Sequence, residues 1–219
     1  MELTDKQARF FYWGPLLLEY KIPLDKTQEV LTRFNNEKQK EPANAGLASI
    51  IKDTKFIVNN VTKHWFIKHV LGDCFNDYCS VLLNNYKLFN EKEQLTSPTY
   101  KKIIARKVKL LDLWMNTQLS GEINPPHVHS CDVSFVYYLN VPSSLIQEHK
   151  EYIGTSPGPG AITFQYGEPS NGGWARIAHS FIPEVGQLFI FPAQLQHFVQ
   201  PFYSGGERIS VSGNMIFGE

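Results

Sequence analysis

Seven histidines punctuate the 219-residue chain, and an imidazole can ligate a metal, so the first question is which of them can meet. His127 and His129 stand two apart in PPHVHSCDVSF, just ahead of an apolar run. In extended chain, residues i and i+2 point the same way, so both rings can face one ion. His197 follows QLFIFPAQLQ, a second strand-like run, and an antiparallel barrel can bring it alongside the pair. Three protein ligands with open positions are what a catalytic metal needs, whereas a structural site closes all four. Iron and zinc both accept imidazole. An HxH pair by itself is equally what two surface histidines at a loop–strand junction look like. His64 and His69 are five apart in a helical stretch and share no face, and His149 and His179 fall in loops or at strand edges.

The residues after His197 narrow the chemistry. In HFVQPFYSGGERISVSGN, Arg208 lies eleven residues further on, and Arg208, Ser210 and Ser212 alternate with Ile209 and Val211. One face of such a strand is polar and the other apolar, so Arg208 and Ser210 look the same way. A guanidinium grips a carboxylate bidentately, so an inward Arg beside a metal suits a dicarboxylate cosubstrate. An outward one makes only a surface salt bridge.

The elements that must position these groups change texture near residue 105. Asp25 or Thr27 can cap a short helix through about Phe34, and NNEKQKEPANAG then reads as loop. Between Asn60 and Leu83, apolar residues recur in steps of three and four at Val61, Trp65, Phe66, Val70, Phe75, Tyr78, Val81 and Leu82, the pattern of a one-faced helix that Gly72 interrupts. Asn84 to Pro98 reads as a connection. Short runs of strand type follow: ARKVKLLDLWMNTQ, VSFVYYLNV, GAITFQY, QLFIFP and RISVSGNMIFG, separated by NPP, PSS, SPGPG, PSNGG and YSGGE. The expected architecture is a β-sandwich or barrel carrying N-terminal helices, with residues 1–104 a mainly helical part packed on a core of residues 105–219, as one structural domain.

Lys plus Arg (21) balances Asp plus Glu (21), so no net field gathers phosphates or anionic lipid, which disfavours nucleic acid as a partner. Cys74, Cys79 and Cys131 are odd in number and lack paired metal spacing, so reduced thiols are expected. The apolar run Trp13 to Leu18 contains Gly and Pro and is far shorter than the ~20 residues that span a bilayer. A cytoplasmic protein is the expectation.

With these residues in place, the chain resembles the iron(II)/2-oxoglutarate-dependent oxygenases, especially the prolyl hydroxylase branch. That family has a His-x-Asp/Glu motif before a strand often reading YYLN, then G-x-L-x-x-F with a distal His, and an Arg about ten residues beyond. The corresponding runs here are HVH, VYYLN (136–140), GQLFIF (186–191), His197 and Arg208. HFVQPFY is similar to the distal-His phrase of the hypoxia-factor prolyl hydroxylases. WMNTQLSGEINPPHVHS followed by SFVYYL is most similar to a little-characterised group of such oxygenases from bacteria and marine phages. Together the matches cover about residues 110 to 214.

The resemblance implies a mainly β fold, a double-stranded β-helix or jelly roll with N-terminal helices packed on it. It implies Fe(II) and 2-oxoglutarate as cofactors, molecular oxygen as co-substrate, and hydroxylation of a substrate with release of succinate and CO2. Carried over, His127 and His197 become ligands and Arg208 pairs with the C5 carboxylate of 2-oxoglutarate, with Tyr138, Ser210 and Asn116 beside it. This chain has His129 where the common pattern has a carboxylate. Asp132, three residues on, is the reserve ligand, though i, i+2 geometry favours His129. Trp114, Asn116, Gln118 and Trp174 are candidate lining groups near the mouth, and the loop from Ser143 to Gly160 is a candidate lid. Two rival readings remain: a cupin-like metalloenzyme without 2-oxoglutarate, which leaves Arg208 idle, and a non-catalytic jelly-roll binding module, which leaves the histidines incidental.

Overall fold

The computed structural model describes residues 14–43, 47–48, 50–85, 89–167 and 177–218; the N-terminal stretch before Gly14, and Trp174, lie outside them. The first half holds β1 (Leu18–Lys21), α1 (Leu24–Asn36), β2 (Lys40–Pro42), β3 (Asp53–Ile57), α2 (Asn60–Phe66), α3 (Gly72–Ser80), α4 (Glu91–Thr96) and α5 (Pro98–Ala105). The second holds β4 (Val108–Gln118), β5 (Asn124–His127), β6 (Val133–Asn140), α6 (Ser143–Glu151), β7 (Ile162–Gln165), β8 (Ala178–Phe181), β9 (Gln187–Pro192), β10 (Gln196–Val199) and β11 (Arg208–Phe217). The strands pair antiparallel into a seven-stranded sheet, β1-β9-β6-β11-β4-β3-β2, and a four-stranded one, β5-β10-β7-β8. This is the mainly β architecture that the strand pattern predicted, in the jelly-roll form that the resemblance implied.

The large sheet is covered on both faces, which is why its central strands read as nearly unbroken apolar runs. Alternation along each strand divides two cores. On β6 and β9, Phe135, Tyr137, Leu139, Leu188 and Ile190 face the helices, while Val136, Tyr138, Phe189 and Phe191 face the small sheet and pack with Ile162, Phe164 and Val199. On β11, Ile209, Val211 and Met215 belong to the helical side. Gly213 is needed there because a Cβ would come within 2.6 Å of the Phe135 ring and 2.7 Å of the Asp112 carbonyl.

The helical cover is locked by aromatics. The Phe66 ring lies 5.5 Å from Phe34 of α1, 5.7 Å from Phe135 and 6.5 Å from Tyr137, and none of its surface is exposed. The Tyr137 hydroxyl donates to Thr27 Oγ1 at 2.7 Å, tying α1 to the middle of the sheet.

Several expectations need correction. Neither Asp25 nor Thr27 caps α1: the helix starts at Leu24, and Thr27 Oγ1 donates back to the Pro23 carbonyl at 2.9 Å. The 35–46 tract is not all loop, since α1 runs to Asn36 and Lys40–Pro42 is a strand laid against β3. Three strands of the large sheet therefore come from the N-terminal hundred residues, each too short for alternation to stand out. Gly72 does not break the helix, which runs from Asn60 to Asn85 through π-helical turns at Ile67–Leu71 and Val81–Asn85. The supposed connection before Pro98 contains α4, opened by a capping box in which Asn90 and Glu93 each bond the other's backbone amide. The candidate lid begins as α6, so only its second half is loop.

Removing the Phe66 ring leaves a cavity between α1 and the sheet that no neighbour can fill. Phe66→Ala is expected to lower stability by about 3–5 kcal/mol in chemical denaturation. A loss near zero would mean that the helices do not cover the sheet as described.

Candidate metal centre and the pocket beside it

His127 closes β5 and His197 lies on β10, and the two are register partners across the antiparallel pair. Strand pairing alone thus sets their rings 4.2 Å apart, centroid to centroid. His129 falls just beyond β5. Its amide donates to the Ala193 carbonyl at 2.9 Å and its carbonyl accepts from Gln194 Nε2 at 2.9 Å. That turn brings its ring to 5.0 Å from His127 and 5.1 Å from His197. One nitrogen from each ring lies within 4.8 Å of the other two, a spacing that fits one metal ion.

Backbone contacts select which nitrogens are offered. His127 Nδ1 lies 2.7 Å from the Pro125 carbonyl and His197 Nδ1 lies 2.9 Å from the Leu195 carbonyl. An Nδ1–H donated to a carbonyl leaves the Nε2 lone pair free for a metal. Burial pushes the imidazoles down, to about 3 for His197 and about 4 for His129, with the charge of neighbouring His127 adding to both. His127 is lowered as well, chiefly by burial. All three are neutral at pH 7, the form that ligates.

Arg208, Ser210 and Ser212 on β11 and Trp114, Asn116 and Gln118 on β4 face each other in register on the inner side of the large sheet. With Tyr138, Ile162, Phe191 and the three histidines, most of this row encloses a cavity beside the triad. Among the described residues lining it there is no carboxylate. Arg208 is nonetheless 97% buried, donates to the Gly160 carbonyl at 2.7 Å and to Gln118 Oε1, and lies with its guanidinium carbon 5.7 Å from the Tyr138 ring centroid. Burial pulls its pKa below the usual arginine range, and pushes the Tyr138 hydroxyl up to about 12.

Three buried polar atoms around this cavity have no partner among the described residues: Tyr138 Oη, Arg208 Nε and Asn124 Oδ1. Unsatisfied groups of this kind are uncommon in a folded interior, and together they fit a polar ligand seated between Arg208 and the histidines. A second cavity shares Trp114, Asn116, Asn124, His127 and His129 with the first and is lined further by Leu47, Ala48 and Val128.

The remaining sequence candidates separate cleanly. Asp132 is exposed, and its carboxylate accepts from the Phe217 amide at 2.9 Å, outside the histidine group. Gln118 is no mouth residue: it is fully buried behind Arg208. Trp114 lines both cavities, its ring centroid 5.7 Å from that of His129. His64, His69 and His179 are exposed. Asn124 and Gly160 were not singled out by sequence; Asn124 stands two places before Pro126 in the NPPH strand, where only strand pairing reveals which way it faces.

Residues 112–214 match the family model described as "Putative 2OG-Fe(II) oxygenase". The fold is similar to a prolyl-4-hydroxylase from Pseudomonas putida, with 14% identity, a TM-score of 0.51 and 93% of each chain covered. It is also similar to a prolyl hydroxylase from Trichoplax adhaerens, solved with a hypoxia-inducible-factor peptide, with 12% identity, a TM-score of 0.52 and 92% of this chain and 83% of that one covered. At such identities the likeness concerns the fold. No curated protein sequence matches the chain significantly.

The lowered imidazole pKa values have a signed consequence. In the unfolded chain histidine titrates near about 6.5, so below that pH the unfolded state takes up protons that the folded triad refuses. The metal-free protein is therefore expected to be at full stability above about pH 6.5 and to lose it as pH falls toward the folded values. A denaturant series between about pH 7 and pH 5, where carboxylates stay ionised, reads this directly. A flat profile there would mean that the rings are solvated.

Proposed function

From the premise that residues 112–214 form a 2OG-Fe(II) oxygenase domain, we propose that the chain holds its ferrous ion between His127, His129 and His197 and binds 2-oxoglutarate through Arg208. It is an oxidoreductase, and the outcome proposed is hydroxylation of an organic substrate. Bound iron supplies the activation of oxygen: one oxygen atom enters succinate as 2-oxoglutarate loses CO2, and the other enters a C–H bond of the substrate.

The observation that carries this reading is the convergence of three neutral imidazoles beside a buried guanidinium, with no carboxylate among the described residues lining the cavity. Arg208 binds and orients the C5 carboxylate, with the Tyr138 hydroxyl and Ser210 on the same wall. Asn116, already accepting from Thr54 Oγ1 at 3.0 Å, is held rigid beside them. His129 rather than Asp132 is the third ligand, a choice supported by the engagement of the Asp132 carboxylate with the β11 backbone. Phe164, Phe191 and Ile162 on the small-sheet side exclude water from the reacting groups.

Substrate approaches from the second cavity, whose described lining apart from the histidines carries no charge. Residues 1–104 and 105–219 act as one structural unit. The free thiols of Cys74, Cys79 and Cys131 support a reducing, cytoplasmic setting.

Anaerobic addition of 2-oxoglutarate to the Fe(II)-loaded protein is expected to give the weak visible absorption of a chelated ferrous complex. His197→Ala should lose iron and with it the band. Arg208→Ala should keep iron but weaken 2-oxoglutarate by about 10- to 100-fold, the worth of a charge-assisted pair. His129→Ala should lose iron affinity where Asp132→Ala keeps it; the opposite pattern would transfer the ligand role to Asp132. Iron binding with no response to 2-oxoglutarate would overturn the reading.

A further inference from the structure

Gln118 closes β4 directly opposite Arg208 in the register with β11. It is 0% exposed, an unusual place for a polar side chain, and both ends of its amide are used. Nε2 donates to the Glu122 carbonyl at 2.5 Å, which turns Oε1 toward Arg208 to accept from the guanidinium. Glu122 is itself fixed, its carboxylate accepting from the Leu119 amide at 2.9 Å and the Lys52 amide at 3.2 Å. The tight turn after β4 is pinned again where Gly121 donates to the Phe202 carbonyl at 2.7 Å. Gln118 therefore has one orientation, and so does the guanidinium it touches.

What Gln118 does not carry is charge. The second acceptor, the Gly160 carbonyl, is neutral as well, and Arg208 Nε has no partner. A buried guanidinium is ordinarily paired with a carboxylate, because an unpaired charge in a dry interior is costly. Here the hydrogen-bonding demand of Arg208 is partly met while its charge is left uncancelled. A Glu in place of Gln118 would be of equal size and equal reach, and would cancel it.

We propose that Gln118 is a positioning residue of the 2-oxoglutarate site: it aims the Arg208 guanidinium without neutralising it, reserving the charge for the cosubstrate carboxylate. This rests on the reading that Arg208 holds 2-oxoglutarate. A Gln118 that merely joined β4 to the following turn would need only its Nε2 donation to the Glu122 carbonyl, and its loss would be felt as instability alone.

The decisive measurements are the 2-oxoglutarate dissociation constant of the Fe(II)-loaded protein under anaerobic conditions, the iron dissociation constant, and the melting temperature of the metal-free protein. Gln118→Glu is expected to weaken 2-oxoglutarate at least about tenfold while iron affinity is unchanged, since the new carboxylate pairs with Arg208; the melting temperature reads separately the cost of losing the donation to the Glu122 carbonyl. Gln118→Met, apolar and of similar length, is expected to lower the melting temperature and to weaken 2-oxoglutarate by less, raising its KM more than it changes kcat. Wild-type 2-oxoglutarate affinity in a folded Gln118→Glu protein overturns the proposal. Should Gln118→Glu fail to fold, Gln118→Met decides: unchanged 2-oxoglutarate affinity overturns the proposal, and weakened affinity with intact iron binding supports it. If Arg208→Ala binds 2-oxoglutarate as tightly as the wild type, the reading of Arg208 fails instead, and the two failures are told apart.

Discussion

A guanidinium buried between two sheets, with no carboxylate among the described residues that line its pocket, is the constraint around which this molecule is arranged. Leaving Arg208 unpaired in that interior costs free energy, and the fold meets the cost by surrounding the group with oriented neutral acceptors, Gln118 Oε1 and the Gly160 carbonyl, and with the face of Tyr138. Those acceptors work only if β4, β6 and β11 keep their register, because a slip of one residue would send Arg208 to the helical side and Ile209 into the pocket. Register is held in turn by the opposite face of the same strands, where Val211, Met215, Leu113 and Tyr137 are sealed under the helices. The cover of α1 and α2 over residues far from the pocket is thus part of what keeps the charge where it is.

The metal centre depends on a different and more local device. His127 and His197 meet because two short strands pair, and His129 joins them because its backbone is bonded to Ala193 and Gln194 in the turn before β10. Neither contact involves the large sheet. The histidine group and Arg208 are therefore carried by different elements, and the cavity they share exists where the two sheets face each other. The two cores on either side of the large sheet keep that spacing.

How much of this was readable without coordinates varies by element. Of the eight strands described in the second half, β4, β6, β7, β9 and β11 were legible because Gly and Pro clusters bound them and β11 alternates openly between polar and apolar, whereas β8 and β10 were not read and the NPP taken as a separator belongs to β5. The histidine group was legible from spacing plus the polar face of β11. The N-terminal strands were not, since β1 and β2 are four and three residues long and owe their form to the sheet edges they join. The helix through Gly72 defied its glycine because the apolar face around Val70, Leu71 and Phe75 is buried, and packing outweighs a propensity cost of about 1 kcal/mol. Gln118 was read as a mouth residue because sequence places it near the site but cannot tell a side chain facing the opening from one wedged behind an arginine.

The absence of a carboxylate from the pocket ties these features together. On the proposed assignment a ferrous ion held by three neutral imidazoles keeps its full double charge, and Arg208 adds another in the same cavity. A carboxylate at position 129 would lower that charge, and one at position 118 would cancel the arginine; this chain has neither. A dianion of the right length, reaching from metal to guanidinium, satisfies both cations at once, whereas a monocarboxylate satisfies one and leaves the other bare. On that assignment, selectivity for 2-oxoglutarate over shorter or singly charged acids follows from the distance between two unneutralised charges, with the orphaned atoms of Tyr138 and Arg208 at the end of the pocket proposed for the second carboxylate.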